Sequence, residues 1–350
     1  MKRPSRQQGY TFFSAGKSGA TTVLVRSGSH QIVAKLDRKS EVLEEMGRFR
    51  TFIMGWDDRL FPMAYLHGNV GVIVFSLVDS MRQRDLPAPM LAEVLEAMWN
   101  DEVFTSDGGF QRQMRIGDLK QALEDATRRL CDLNRRVPPM SRYVDYSDLG
   151  MRQLEQLEMH GVSWGLGEHV RCARKVAEQQ YARLARSAVV HGDLHLQNIL
   201  IRGGREAFLV DYRASGVGHP AIDLVRLELA LYLDFFRPTD TDSMCHELQR
   251  ALVAGEGFKS VSERFSGLLR PAINELCVYG CVLARDRAIE AVVAHGGTVD
   301  DYLATKCLVA WQRLLLWRTQ TSLTRQIITT LAEANAQRGV VGVGVRTPVV

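Results

Sequence analysis

The chain has 350 residues, 46% of them hydrophobic and 24% charged, and its 44 Lys and Arg against 40 Asp and Glu leave a formal charge of +4. That is enough apolar material for one large domain or two lobes, and the basic residues are scattered, which argues against a nucleic-acid stripe or a polybasic membrane patch. The opening M-K-R-P-S-R-Q-Q-G-Y lacks the apolar segment of a signal peptide, and no run of about 18 apolar residues occurs, so a cytoplasmic protein without nucleic-acid or membrane partners is expected.

In chain order, the first eighty residues read as β-rich. Gly9 to Phe13 and Thr21 to Arg26 are short β-branched and aromatic runs. They are joined by Ser14-Ala15-Gly16-Lys17-Ser18-Gly19-Ala20 and followed, after a turn at Ser27-Gly28-Ser29, by a third run from Gln31 to Leu36. An antiparallel meander is predicted. Arg38 to Phe52 then carries Val42, Leu43, Met46, Phe49 and Phe52 at helical spacing, and Leu60 to Leu66 and Val70 to Val78 read as two more strands turned by His67-Gly68-Asn69.

After Asp79 the texture becomes helical, with Pro87 and Pro89 punctuating a linker. Asp118 is a predicted N-cap with Gln121 in capping-box position, ahead of Leu119, Leu123, Ala126, Leu130 and Leu133 on one helical face. Residues 166–186, 221–236 and several segments of 242–335 have similar patterns, while 338–350 lacks periodicity and reads as a frayed tail. Six cysteines, at 131, 172, 245, 277, 281 and 307, form no CxxC pair. Cys277 and Cys281 lie one helical turn apart, but no further ligand of suitable spacing accompanies them, and reduced core thiols are the expectation.

One polar element interrupts the helical half. Val190-His191-Gly192-Asp193-Leu194-His195-Leu196-Gln197-Asn198-Ile199 sets two histidines, a carboxylate and two amides between aliphatic runs, and a short strand from Ala207 to Asp211 follows. Phosphoryl transfer needs a carboxylate near an acceptor hydroxyl and hard oxygen ligands for Mg²⁺. Asp193 and Asn198 on one loop can supply these, and Asp211 at the end of the next strand can supply a further metal ligand. The alternative of a merely polar turn leaves the Asp211 spacing unexplained.

His191-x-Asp193-(x4)-Asn198 followed by an apolar strand and Asp211 resembles the catalytic half of the protein-kinase-like fold. The H-G-D-L-H of 191–195 and the V-D-Y-R-A-S-G-V-G-H-P-A-I-D-L of 210–224 make the chain similar to the aminoglycoside phosphotransferase and choline kinase relatives. The resemblance implies an α+β, bilobal architecture with a small antiparallel β-sheet lobe carrying one helix and a larger, mainly helical lobe. It sets a nucleotide-binding lobe over 1–79, a catalytic and substrate lobe over 80–337 and a tail over 338–350. It also implies roles: Asp193 as catalytic base, Asn198 and Asp211 as holders of the metal, His191 as a buttress of the loop and Asp223 as structural. The cofactors implied are Mg²⁺ and ATP, with GTP as the other nucleotide.

For the nucleotide-facing parts, Gly16, Lys17, Ser18 and Gly19 stand where a glycine-containing hairpin loop would cover the phosphates, and Lys35 on the third strand resembles the family's phosphate-binding lysine. Glu41, Glu44 and Glu45 are available as its helix partner, with Glu45 first and Glu44 next. The adenine is expected near Ser76 to Ser80, around Val78. Gly16-Lys17-Ser18 also looks like the end of a P-loop, but Thr11 stands where the first glycine should be and no βαβ pattern surrounds it. Trp99, Trp164, Trp311 and Trp317 are expected in the core.

Two departures qualify the resemblance: Leu196 and Gln197 stand where relatives often have Pro and a small residue, and Asp211-Tyr212-Arg213 has no third-position glycine. The region after 230 shows no acidic excess for a polycationic acceptor. The expectation is an ATP-dependent small-molecule kinase acting on a hydroxyl or amine; the other class is a kinase-like module that binds nucleotide or a partner protein without useful catalysis.

Overall fold

The computed structural model describes residues 8–12, 20–27, 30–56, 60–77, 90–99, 115–139, 181–202, 204–237, 242–269, 272–317 and 330. Five strands, β1 (Gln8–Phe12), β2 (Thr21–Ser27), β3 (His30–Arg38), β4 (Leu60–His67) and β5 (Val70–Leu77), form an antiparallel sheet in the order β1-β2-β3-β5-β4. Alternation divides buried residues between the two faces of the sheet: Val23 on β2 is paired with Ala34 on β3 on one face, and Lys35 is paired with Ile73, which shares its side of β5 with Phe75, on the other.

Helix α1 (Lys39–Arg48) follows β3 without a loop, so Lys35 on the strand and Glu45 on the helix lie ten residues apart with no slack between them. The helix lays Val42 and Met46 on the sheet and continues into one π-helical turn over Phe49–Ile53. Gly71 on β5 permits this docking. A Cβ there would lie 2.8 Å from the Cβ and Cγ2 atoms of Val42, a branched side chain that cannot rotate clear. The sequence periodicity over Arg38 to Phe52 spans both the α-helix and the π turn, because Phe49 and Phe52 stay buried through the change of pitch.

The second lobe is helical, with α2 (Leu91–Trp99), α3 (Ile116–Asn134), α4 (Ile222–Ala230), α5 (Asp242–Ala254), α6 (Phe258–Arg264), α7 (Ala272–Ala294) and α8 (Val299–Trp317). Two short antiparallel pairs sit on it: β6 (Ala188–Val190) with β9 (Gly216–Gly218), and β7 (Ile199–Arg202) with β8 (Glu206–Leu209). Helix α7 runs through the middle, and its Gly280 lets Leu231 and Leu123 approach where a Cβ would meet their Cδ1 atoms at 2.5 and 3.1 Å. A buried ion pair, Lys306 Nζ to Glu228 Oε1 at 2.6 Å, joins α8 to α4, with the Tyr302 hydroxyl donating to the other carboxylate oxygen at 2.8 Å. Neither charge is left uncompensated.

Two expectations change. Helix α3 begins at Ile116 with Arg115 as its N-cap and no side-chain capping bond, so Asp118 is not the cap. Its carboxylate is drawn instead to Arg205 Nε at 2.7 Å, a partner 87 residues away. The strand expected over Ala207 to Asp211 runs from Glu206 to Leu209 and stops short of the aspartate. Among the tryptophans, Trp311 is buried; Trp164 and the side chains of Trp99 and Trp317 lie outside the description. The five cysteines within the described residues, Cys131, Cys245, Cys277, Cys281 and Cys307, are buried. No helix among those residues is long and apolar enough to cross a membrane.

Replacing Gly71 by Ala should push α1 off β5. A loss of about 1–3 kcal/mol, the usual cost of overpacking, is expected in urea unfolding.

Candidate active site

The loop after β6 is shaped by one carboxylate. Asp223, fully buried in the first turn of α4, accepts from the His191 amide through Oδ2 at 2.6 Å and from the Gly192 amide through Oδ1 at 3.0 Å. Arg226, one helical turn on, donates to the Gly192 carbonyl. Gly192 itself has φ of +85°, and a Cβ would lie 2.0 Å from the carbonyl oxygen of Ala214. Only glycine satisfies both conditions. The His191 ring is buried and its Nε2 donates to the Val210 carbonyl at 2.9 Å, tying the loop to the end of β8.

Beyond Gly192 the chain alternates between anchors and exposed groups. Leu194 and Leu196 are buried, whereas Asp193 and Gln197 are exposed. Leu196, one of the two departures from the family pattern, therefore serves as a hydrophobic anchor for the short 3-10 turn Leu196–Asn198. Asn198 gives its Nδ2 to the Asp193 carbonyl at 2.8 Å, and its own carbonyl accepts from the Val210 amide at 3.0 Å. Its side-chain Oδ1 takes part in no hydrogen bond among the described residues.

Asp211 follows Val210 with φ of +65° and ψ of +69°, the one non-glycine residue at positive φ among the described residues. This conformation costs energy and persists only where the surroundings fix it. They do so here. Lys35 Nζ contacts Asp211 Oδ1 at 2.6 Å and Glu45 Oε2 at 2.8 Å, so one ammonium joins β3, α1 and the end of β8. Next in the chain, Tyr212 is buried, edge-on to Phe49 and tilted against the His191 ring, with its hydroxyl donating to the Leu209 carbonyl at 2.6 Å.

One ammonium cannot neutralise two carboxylates. Burial works against the charge on Lys35, but Glu45 and Asp211 outweigh it and hold its pKa above the ordinary lysine value. Burial also acts against Asp211; there Lys35 prevails and the pKa is lowered. Glu45 lies deeper, with 3% of its side chain exposed against 31% for Asp211, and burial lifts it from 4.5 to about 7 despite Lys35. The His195 pKa falls below its usual value because burial outweighs the nearby Asp193 carboxylate, which leaves a neutral imidazole beside that residue near pH 7.

The geometry brings together Lys35, Glu45, Asp211, Asn198, His191 and Asp193. Glu44 faces elsewhere and pairs with Arg48 at 3.0 Å. Gly16, Lys17, Ser18, Gly19 and Val78 lie outside the described residues. Three arginines went unremarked in the sequence as parts of the site. Arg226 orders the loop, Arg48 donates to the Ser215 carbonyl at 2.9 Å, and Arg213 reaches α1. For Arg48 and Arg226 the only sequence signals are the spacings Glu44–Arg48 and Asp223–Arg226, which are common on solvated helix faces.

The sequence model of the phosphotransferase enzyme family, APH, matches residues 10–258. The chain belongs to that family. Among solved structures, this phosphotransferase-family chain is similar to the aminoglycoside phosphotransferase APH(4)-Ia, with 10% identity over 96% of this chain and 94% of that one and a TM-score of 0.49. It is similar also to APH(2")-IIa in a ternary complex with streptomycin and ATP, with 12% identity over 92% and 93% of the two chains and a TM-score of 0.47. Spectinomycin phosphotransferase APH(9)-Ia, in complex with ADP and spectinomycin, shows 11% identity over 94% and 93% and a TM-score of 0.38. No curated protein matches the chain.

Two outcomes follow for this family member. Gly192→Ala must move the Ala214 carbonyl and adopt a strained φ, and a loss of at least about 2 kcal/mol is expected in denaturant unfolding. In the ligand-free protein Glu45 keeps a proton between pH 4.5 and about 7 that the unfolded chain has lost. Its contribution to stability is present at the acid end and fades as pH rises through that window. Unfolding of Glu45→Gln, measured across the same window, should lack this decline.

Proposed function

We propose that the chain is an ATP-dependent small-molecule kinase that moves the γ-phosphoryl group to a hydroxyl or amine, with Asp193 as the base. The observation that carries this reading is the contact of Lys35 with both Glu45 and Asp211, which unites a phosphate-facing lysine with a metal-facing carboxylate across the two lobes. The division between nucleotide lobe and catalytic lobe is proposed at 79/80, with the nucleotide between them and the 14–20 loop over its phosphates.

The donor set fits a divalent cation such as Mg²⁺. Asn198 has spent its amide nitrogen on the loop backbone and retains Oδ1, while Asp211 uses Oδ1 on Lys35, remains ionised and is partly open to solvent. Both are hard oxygen donors of the kind the ion takes. When bound, the ion would neutralise charge on the phosphate oxygens. The remaining work falls to the protein. Lys35 would bind the α- and β-phosphates, held in place by Glu45. Asp193, exposed at the loop tip, would orient the acceptor group and take its proton. His191 and Asp223 fix the backbone on which Asp193 stands, so that the carboxylate is in position before the acceptor arrives.

The test is transfer of labelled γ-phosphate from ATP to a panel of small alcohols and amines. A general base contributes about 10²–10⁴-fold, so Asp193→Asn should lose that much turnover while its affinity for Mg²⁺-ATP stays at the wild-type value. Wild-type turnover in the variant would remove Asp193 from its role.

A further inference from the structure

The proposed chemistry makes no use of Arg213, which stands two residues after Asp211 in place of a glycine. Its guanidinium Nη1 lies 3.3 Å from Glu41 Oε2 and 4.0 Å from Asp37 Oδ2. Both acids belong to the other lobe. Asp37 is on β3, two residues after Lys35, and Glu41 is in the first turn of α1. Asp37 is the more demanding partner: its side chain is 8% exposed, and its Oδ2 is buried and receives no hydrogen bond among the described residues. A carboxylate so placed needs a cation, and Arg213 approaches that oxygen.

The other end of α1 is tied to the same turn. Arg48 reaches the Ser215 carbonyl at 2.9 Å while pairing with Glu44, and between these two arginines lies the Glu45–Lys35–Asp211 contact. Glu41, Glu45 and Arg48 project from α1 at spacings of four and three residues, the one helical face turned to the 211–215 segment. If α1 moved away, Glu45 would leave Lys35, and the phosphate-facing lysine would lose the partner that aims it.

We infer that Arg213 is a positioning residue, a brace that holds α1 on the 211–215 turn in the ligand-free protein, so that Lys35, Glu45 and Asp211 are assembled before nucleotide binds. The inference rests on the nucleotide reading above for its consequence, although not for the brace itself. A site assembled in advance binds its ligand without first shifting a population; without the brace, apparent affinity falls by the fraction of molecules with α1 undocked. An ordinary half-exposed ion pair would instead add a little to global stability and leave affinity untouched.

Two measurements separate these cases: amide hydrogen exchange of the ligand-free protein, and calorimetric Kd for Mg²⁺-ATP, each on the wild type, Arg213→Ala, Arg213→Lys and Glu41→Gln. In Arg213→Ala, exchange over Lys39–Arg48 should quicken by about tenfold while β5 amides keep their wild-type rates, and the Kd should rise by about tenfold. Arg213→Lys, which keeps the charge, should recover most of both effects. Glu41→Gln should show a smaller version, and adding it to Arg213→Ala should change little further. Exchange over α1 and a Kd both within twofold of wild type in Arg213→Ala would overturn the inference, as would faster exchange spread equally over α1 and β5. The exchange comparison uses no nucleotide, so it decides the brace even if the wild type fails to bind Mg²⁺-ATP, a result that would remove the nucleotide reading alone.

Discussion

The Lys35 ammonium is buried and can be buried only because two carboxylates meet it. One comes from the helix that follows its own strand, the other from 176 residues further along the chain. That requirement fixes the relation of the lobes. With Glu45 and Asp211 both within hydrogen-bond reach, α1 must lie against the turn after β8, and Asp211 must adopt its left-handed backbone to present the oxygen. Burial raises the pKa of Glu45, the deeper acid, against the pull of that cation, whereas at Asp211 the same cation prevails and the pKa is lowered.

The loop that carries Asp193 obeys a separate constraint, imposed from below. Asp223 holds two successive amides, Gly192 passes under the Ala214 carbonyl, and the His191 ring reaches the end of β8. These contacts are buried and mutually dependent, so the backbone near Asp193 has little freedom, while the carboxylate itself stays exposed. Rigid support beneath an open acid is the arrangement that orientation of an acceptor requires. The Asn198 side chain joins loop to strand at the point where β7 begins.

Much of this was legible in the sequence wherever partners are near in the chain or the pattern is periodic. The five strands, the first helix and the H-G-D-L-H loop were readable for those reasons, and Glu45 could be ranked ahead of Glu44 by its distance from Phe49. The losses were of another kind. Asp118 has the chemistry of an N-cap, yet Arg205, 87 residues away, takes its carboxylate. Helical spacing ran unbroken through Phe52 because a π turn keeps aromatic residues facing inward while shifting the pitch. Arg213 read as a departure from a familiar triplet; its acids, Asp37 and Glu41, are more than 170 residues earlier, and no local pattern joins them. Local preference shows the elements, whereas charge pairing across the lobes is decided only once the chain has folded.

The central claim, that Lys35 and Asp211 form a metal-dependent nucleotide site, is tested most directly by thermal unfolding of the wild type and Asp211→Ala with and without Mg²⁺-ATP. Ligand at about 100 times its Kd adds about 2.7 kcal/mol of stability, which the midpoint reports clearly. The account predicts an upward shift in the wild type that needs both Mg²⁺ and nucleotide and is lost in Asp211→Ala. An equal shift in the variant, or none in the wild type with ATP or GTP at about 5 mM, above the usual range of KM, would contradict it.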